Sequence, residues 1–296
     1  MTFAIWNENL KIVEILVKAG ANVDQEDDFG WTPLTMSVSK GNLEIITLLS
    51  RNGVNLDLFD TRNNTPMTNA IELEKVKIIK YLIDCGTDVN FNDAIGWTPL
   101  LRAIHKDNLE IVSLLIERGA DTQQIEMKRL KYTPLTYAVF LQRMKIIELL
   151  INSGASVNQE DDEGWTPLTL AISKGNLETI TLLSRNGANL NMINSKDNTP
   201  MTMAIDLEEM EVIKLLIDCE ADLNFDDGIG TPLKQAIVTE NLDVVALLIE
   251  RGADINFFDN MGWTPITFAI NNNSISIVQL LISKGANHQM GNRHCQ

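Results

Sequence analysis

The chain has 296 residues, 45% of them hydrophobic, and sets 24 basic side chains against 40 acidic ones for a formal charge of −16. That balance speaks against a duplex nucleic-acid binder, which needs Lys and Arg to displace counterions from phosphates, and against a basic patch seated on an anionic membrane. It keeps a long chain soluble and permits a basic partner.

The first residues, MTFAIWNENLKIVEILVKAG, carry neither a basic n-region nor a long apolar h-region. No run approaches the roughly 18 apolar residues that span a bilayer. Cys85, Cys219 and Cys295 form an odd, sparse set that reads as a reducing compartment. Together these features predict a cytoplasmic protein, with the nucleus as the alternative.

In chain order, TFAIWNENLKIVEILVKAGAN at 2–22 aligns without gaps on TFAINNNSISIVQLLISKGAN at 267–287, so the chain opens inside a repeat. The dipeptide Thr-Pro then recurs at Thr32, Thr65, Thr98, Thr133, Thr166, Thr199, Thr231 and Thr264, at intervals of 33, 33, 35, 33, 33, 32 and 33 residues, and takes all eight prolines. The dipeptide is a helix start. Thr at the N-cap accepts from a free first-turn amide, and Pro at the first helical position has no amide to waste and a φ already helical.

Five residues after each Thr stands a small side chain, Ser37, Ala70, Ala103, Ala138, Ala171, Ala204, Ala236 or Ala269, which lets neighbouring helices approach. A second helix follows, with Ile45, Leu48 and Leu49, or Ile277, Leu280 and Leu281, at helical spacing. It ends at Gly20, Gly53, Gly86, Gly119, Gly154, Gly187, Gly252 or Gly285, suited to a left-handed stop. The predicted units are 1–23 (partial), 24–56, 57–89, 90–122, 123–157, 158–190, 191–222, 223–255 and 256–288 in a single array, with a tail at 289–296. No unit can bury its apolar face alone; stacking buries it. A longer period of 134 residues repeats SKGNLEIITLLSRNG (39–53) as SKGNLETITLLSRNG (173–187), so a block of four units has been copied.

The pattern GWTPLTLAISKGNLETITLLSRNGANLN at 164–191, with its copies, resembles the ankyrin family over nearly the whole chain. The resemblance implies an all-α ankyrin-repeat solenoid of stacked helix-turn-helix units with projecting hairpin loops. It also implies protein recognition on a concave face made by the hairpins and first helices. The sequence departs from the family where Thr35, Thr68, Thr136, Thr169, Thr202 and Thr267 replace the usual His, and where Leu101 and Lys234 replace even the Thr. Glu220 stands in place of a helix-stop Gly, and the turn before Thr231 is one residue short, which marks 219–231 as a weak point. The last helix has an internal-looking apolar pattern and the first unit lacks its hairpin, as in a longer array or an incomplete gene model.

No arrangement of side chains reads as catalytic, and no metal or cofactor is expected. His105, His288 and His294 are scattered, the glycines serve stops and turns, and no ligand spacing is present. His105 reads as a solvated helix residue. Acidic clusters at Glu26-Asp27-Asp28, Glu160-Asp161-Asp162-Glu163 and Asp226-Asp227 fall in the turns. Ordinary turn chemistry is the first reading, and acidic fingers for a basic partner the second. Asn90, Asn224 and Asn256 resemble ankyrin sites of an asparagine hydroxylase, against the simpler reading that each satisfies its turn.

Trp31, Trp97, Trp165 and Trp263 all precede the Thr of Thr-Pro, a position that faces the groove in the family. A large ring with a polar edge makes a good interface anchor. Unit 123–157 differs most. Its turn DTQQIEMKRLKY is two residues longer and carries Lys128, Arg129 and Lys131; Tyr132 replaces Trp, and Phe140 and Leu141 stand where other units have Ser39-Lys40 or Ser173-Lys174. Tyr132, Phe140 and Leu141, with Met127 nearby, predict an apolar recognition patch, unless the longer hairpin covers it.

The expected function is a non-catalytic scaffold that binds a protein or extended peptide, ones with basic segments among them, on the concave face through Trp31, Trp97, Tyr132, Phe140, Leu141, Trp165 and Trp263. No nucleic-acid or membrane partner and a monomer are expected. The alternatives are a segment of a larger regulatory protein with its activity elsewhere, or a host-directed effector of a parasite or intracellular bacterium, to which the abundant Asn and Ile point faintly.

Overall fold

A computed structural model describes residues 1–94, 96–123, 131–259 and 262–287. Its described residues form eighteen helices and no strand. The first helices of the successive units are α1 (Thr2–Trp6), α3 (Pro33–Lys40), α5 (Pro66–Glu72), α7 (Pro99–His105), α9 (Pro134–Phe140), α11 (Pro167–Ser173), α13 (Pro200–Asp206), α15 (Pro232–Val238) and α17 (Pro265–Asn271). Their antiparallel partners are α2 (Leu10–Lys18), α4 (Leu43–Arg51), α6 (Val76–Asp84), α8 (Leu109–Glu117), α10 (Met144–Asn152), α12 (Leu177–Arg185), α14 (Met210–Asp218), α16 (Leu242–Glu250) and α18 (Ile275–Ser283). The helices divide between two units of packing, Met1–Ser156 and Val157–Gln296. Within each, every first helix packs on its partner and on the first helix of the next repeat.

Each Thr-Pro starts a helix as its chemistry requires. Thr166 Oγ1 accepts from the Thr169 amide at 3.1 Å, and Thr169 Oγ1 accepts from the Thr166 amide at 3.0 Å. The same reciprocal box closes at Thr32, Thr65, Thr133, Thr199 and Thr264. Thr therefore does within the helix start what a longer capping side chain would do. At Leu101 and Lys234 only the N-cap half of the box remains.

The small residue of each first helix, from Ser37 through Ala269, is completely buried. All eight stop glycines take positive φ, and Glu220 follows them at φ 67°. At the 219–231 junction the shorter hairpin keeps a weaker closing bond: Asp227 donates to Gly230 O at 3.4 Å, where Asp161 donates to Trp165 O at 2.9 Å.

The loops carry a second periodic device. Asn90 Oδ1 accepts from the Asp121 amide of the next repeat at 2.8 Å while its Nδ2 donates to Gly119 O at 3.3 Å. Asn158 does the same with Asn189 and Gly187, and Asn191, Asn224 and Asn256 accept from Asp222, Asp254 and Asn287. In unit 123–157 Gln123 takes the role, reaching Ser156 and Gly154. These side chains tie adjacent repeats, so the asparagines serve the loop backbone.

Asp57 holds one of these positions as an acid. Burial pushes its carboxyl above the usual 3.8, against the lowering hydrogen bond from the Asp88 amide, and the Asp88 charge raises it further. Its Oδ1 is buried without a partner, where Asn90 and Asn158 present an NH₂.

Two stability tests follow. Glu220→Gly removes a left-handed residue bearing a Cβ and is expected to stabilise the protein by about 1 kcal/mol, read as a higher denaturant midpoint. For Asp57, a carboxyl raised on folding contributes stability at low pH that is lost as pH rises through its folded value. Asp57→Asn is therefore expected to raise the thermal midpoint near neutral pH, and the gain is expected to shrink as pH falls toward 3.8. An unchanged difference across that range contradicts the assignment.

Candidate functional site

The hairpins are built around one inward-turned side chain five residues before Thr. Asp161 Oδ1 accepts from the Glu163 and Trp165 amides, both at 2.9 Å, and Asp161 N–H donates to Trp165 O. Asp27, Asp60, Asn194 and Asp259 close the same way onto residues 31, 64, 198 and 263. Asp60, Asp93, Asp161 and Asn194 are buried. The central acid of each cluster thus does turn chemistry, while Asp28, Asp162 and Glu163 stay exposed.

The turn sets the tryptophan that follows it on the surface, half-buried, and a cation of the next repeat covers Trp31 and Trp165. The Arg62 guanidinium carbon lies 3.2 Å from the Trp31 ring centroid, and Lys196 Nζ lies 3.7 Å from that of Trp165. Trp6, outside the periodic position, carries Lys40 Nζ at 3.6 Å. Trp263 packs on Phe268, centroids 5.1 Å apart. Trp31, Trp165 and Trp263 are thus separate local sites, each in contact with its own neighbours.

Trp97 belongs to a larger group. Its ring meets His105 and Tyr137 edge-on, at 5.3 and 5.7 Å. Tyr137 stacks on Tyr132 at 5.6 Å, and Tyr132 stacks on Phe140 at 5.3 Å. His105 lies nearly parallel to Tyr137, and its Nδ1 shares a 2.8 Å hydrogen bond with the Tyr137 hydroxyl. Tyr137 is buried and holds the group together; Trp97, Tyr132 and Leu141 are half-buried, and Phe140 is 39% exposed. Leu141 caps α9 directly after Phe140.

Three of the expected residues, Trp97, Tyr132 and Phe140, therefore meet, through Tyr137, which the sequence did not single out, and His105, which it placed in solvent. His105 is solvent-exposed, as expected, but it is also bonded and stacked. Tyr137 occupies the variable position four after Thr, filled elsewhere by Met36, Asn69, Arg102, Leu170, Met203, Gln235 and Phe268; an aromatic there, one turn before Phe140, is the signal that could have found it. Met127, Lys128 and Arg129 lie outside the described residues.

An ionic clamp supports Trp97 from below. Arg102, with its guanidinium carbon 5.3 Å from the Trp97 centroid, donates from Nε to Asp93 Oδ2 at 2.9 Å and from Nη1 to Glu72 Oε1 at 2.8 Å. Lys106 adds a 3.0 Å bridge to Glu72 Oε2. Burial alone would raise the Glu72 carboxyl, but the hydrogen bonds and charges of Lys106 and Arg102 outweigh it and hold the group below its usual 4.5.

Among the described residues, no group of three or more His, Cys, Asp or Glu side chains is placed to hold a metal ion, and no helix is long and apolar enough to cross a membrane. The arrangement offers ring faces, a tyrosine–histidine pair and paired charges.

Removing Arg102 tests the clamp. In Arg102→Met, Glu72 keeps much of its burial and loses one opposing cation, so its carboxyl is expected to titrate higher than in the parent chain, read by carbon-detected NMR of the side-chain carboxyl. The depressed pKa contributes stability above the unfolded value that is lost as pH falls through the folded one; the variant is expected to lose stability near neutral pH and less at low pH.

Comparisons with known proteins agree with this geometry. The family model for ankyrin repeats matches residues 1–93, 74–161, 143–227 and 226–292. The crystal structure of the ankyrin repeat domain of Bcl-3, a member of the IkappaB protein family, is similar with a TM-score of 0.67 and 27% identity, over 73% of this chain and 96% of that one. Comparison with curated proteins gives no match.

Proposed function

The chain belongs to the ankyrin-repeat family, and on that premise we propose that it is a non-catalytic scaffold that recognises a protein or extended peptide through its first helices and hairpins. Ankyrin repeats are in general protein-interaction modules, and the fold by itself does not name a partner.

The observation that carries the proposal is the continuous group Trp97–His105–Tyr137–Tyr132–Phe140. Exposed ring area concentrated on one buried tyrosine is costly to leave in water and rigid enough to bind without large ordering losses. Anchors of this kind account for most of the affinity in typical interfaces, at about 2 kcal/mol or more each. Leu141 extends the surface, and Trp31, Trp165 and Trp263 provide secondary contacts. The acidic net charge favours partners with basic segments and speeds their encounter. The scaffold works as a monomer in the cytoplasm, with neither nucleic acid nor membrane as its target.

Two baits test the surface against native lysate: the chain itself and a variant with Trp97, Tyr132, Phe140 and Leu141 all changed to Ser, checked for an unchanged helical circular-dichroism spectrum. A protein retained by the first and lost by the second is the expected result. Retention of the same proteins by both baits contradicts the placement.

A further inference from the structure

The 134-residue duplication gives a natural comparison between two hairpins, EDDFGW at 26–31 and EDDEGW at 160–165. In the first, the Arg62 guanidinium covers Trp31 and is itself neutralised, donating from Nε to Asp60 Oδ2 at 3.1 Å with a second bond at 2.5 Å from Nη2. In the second, Asn194 replaces Asp60, so Lys196 covers Trp165 without the carboxylate that neutralises Arg62. The Lys196 stem lies across the hairpin, its Cγ 3.5 Å from where a Cβ on Gly164 would stand.

Beneath this lid Asp161 is 5% exposed, and its Oδ2 has no hydrogen-bond partner. Three acids at the same hairpin position have a cation: Arg62 on Asp60, Arg102 on Asp93 and Lys234 on Asp259. Burial pushes the Asp161 carboxyl up, against the hydrogen bonds from the Trp165 and Glu163 amides, and Lys196 is the cation whose charge acts to lower it.

We propose that Trp165, Asp161 and the exposed acids Asp162 and Glu163 form a binding site for a basic side chain of a partner, arginine above all, with Lys196 as a displaceable occupant. The inference rests on the scaffold reading above and gives it a ligand chemistry at a place separate from the Trp97–Phe140 group. A guanidinium is flat, weakly hydrated and able to stack on an indole while donating two bonds to a carboxylate, which the Lys196 ammonium cannot do. Within this chain, Arg102 beside Trp97 shows a guanidinium bonded to the acid of this hairpin position, and Arg62 on Trp31 shows one stacked on the indole. The four consecutive acids of 160–163 concentrate basic segments at the site.

The test uses the full chain and the peptide acetyl-Gly-Arg-Gly-Arg-Gly-amide, with the lysine counterpart as control. Binding is followed through the Trp165 indole N–H, assigned by its loss in Trp165→Phe. The arginine peptide is expected to move that resonance and to bind more tightly than the lysine one. Lys196→Ala is expected to tighten binding by about threefold, the order of one exposed cation–π contact, while Lys11→Ala, an equal charge change on α2, leaves it unchanged. Asp161→Asn is expected to weaken binding by about threefold or more; Asn194 shows that a hairpin of this kind folds around an amide. If Lys196→Ala acts no more than Lys11→Ala, or if Asp161→Asn binds as well as the parent, the peptide feels only the general acidic field and the site is refuted. The scaffold reading survives that result, because it stands on Trp97, Tyr132, Phe140 and Leu141.

Discussion

The structure depends on starting very short helices. Most first helices have seven residues and every second helix nine, below the roughly 12–15 at which an isolated helix becomes even marginal in water. Two things make them persist. The Thr-Pro start satisfies first-turn donors through a buried pair of hydroxyls, and the small residue five positions on brings the next repeat close enough to exclude water. Neither suffices alone, because a capped helix with no neighbour keeps its apolar face exposed. Loss of one cap is worth about 1 kcal/mol, and that loss is felt by the repeats on both sides.

The rigid spacing that results is what makes a recognition surface. Residues at one phase of successive repeats are carried into contact across about one period: His105 with Tyr137, Arg102 with Glu72, Asn90 with Asp121. A side chain on such a scaffold loses little freedom on binding, since the stack has already fixed it. The Trp97–Phe140 group is an extreme case, in which five rings from two neighbouring repeats hold one another in place.

Much of this was legible from the amino-acid order. Thr-Pro, the buried small residue and the terminal glycine each act within a few residues of themselves, so the helices, their ends and the left-handed stop at Glu220 follow from their phase. The neighbours of each tryptophan were not legible. Whether Trp31 lies under Arg62, or Trp97 against Tyr137, depends on the register between repeats, and a sequence gives phase but not the rotamers that cross it. The acids of the hairpins were legible as turn chemistry: Asp27 and Asp161 turn inward because free backbone amides need an acceptor. The duplication shows the same division. SKGNLEIITLLSRNG and its copy differ only at a buried position, Ile45 against Thr179, while Asp60 against Asn194, Arg62 against Lys196 and Phe29 against Glu163 change the hairpins.

The claim that the aromatic side of the first helices is the recognition surface can be tested by position. A photoreactive benzoylphenylalanine placed at Phe140 in one chain, and at Glu148 on the second helix in another, would be irradiated in native lysate. The account predicts a discrete protein adduct from position 140 and none from 148. An adduct from 148 with none from 140 would contradict it, and would move recognition to the second helices.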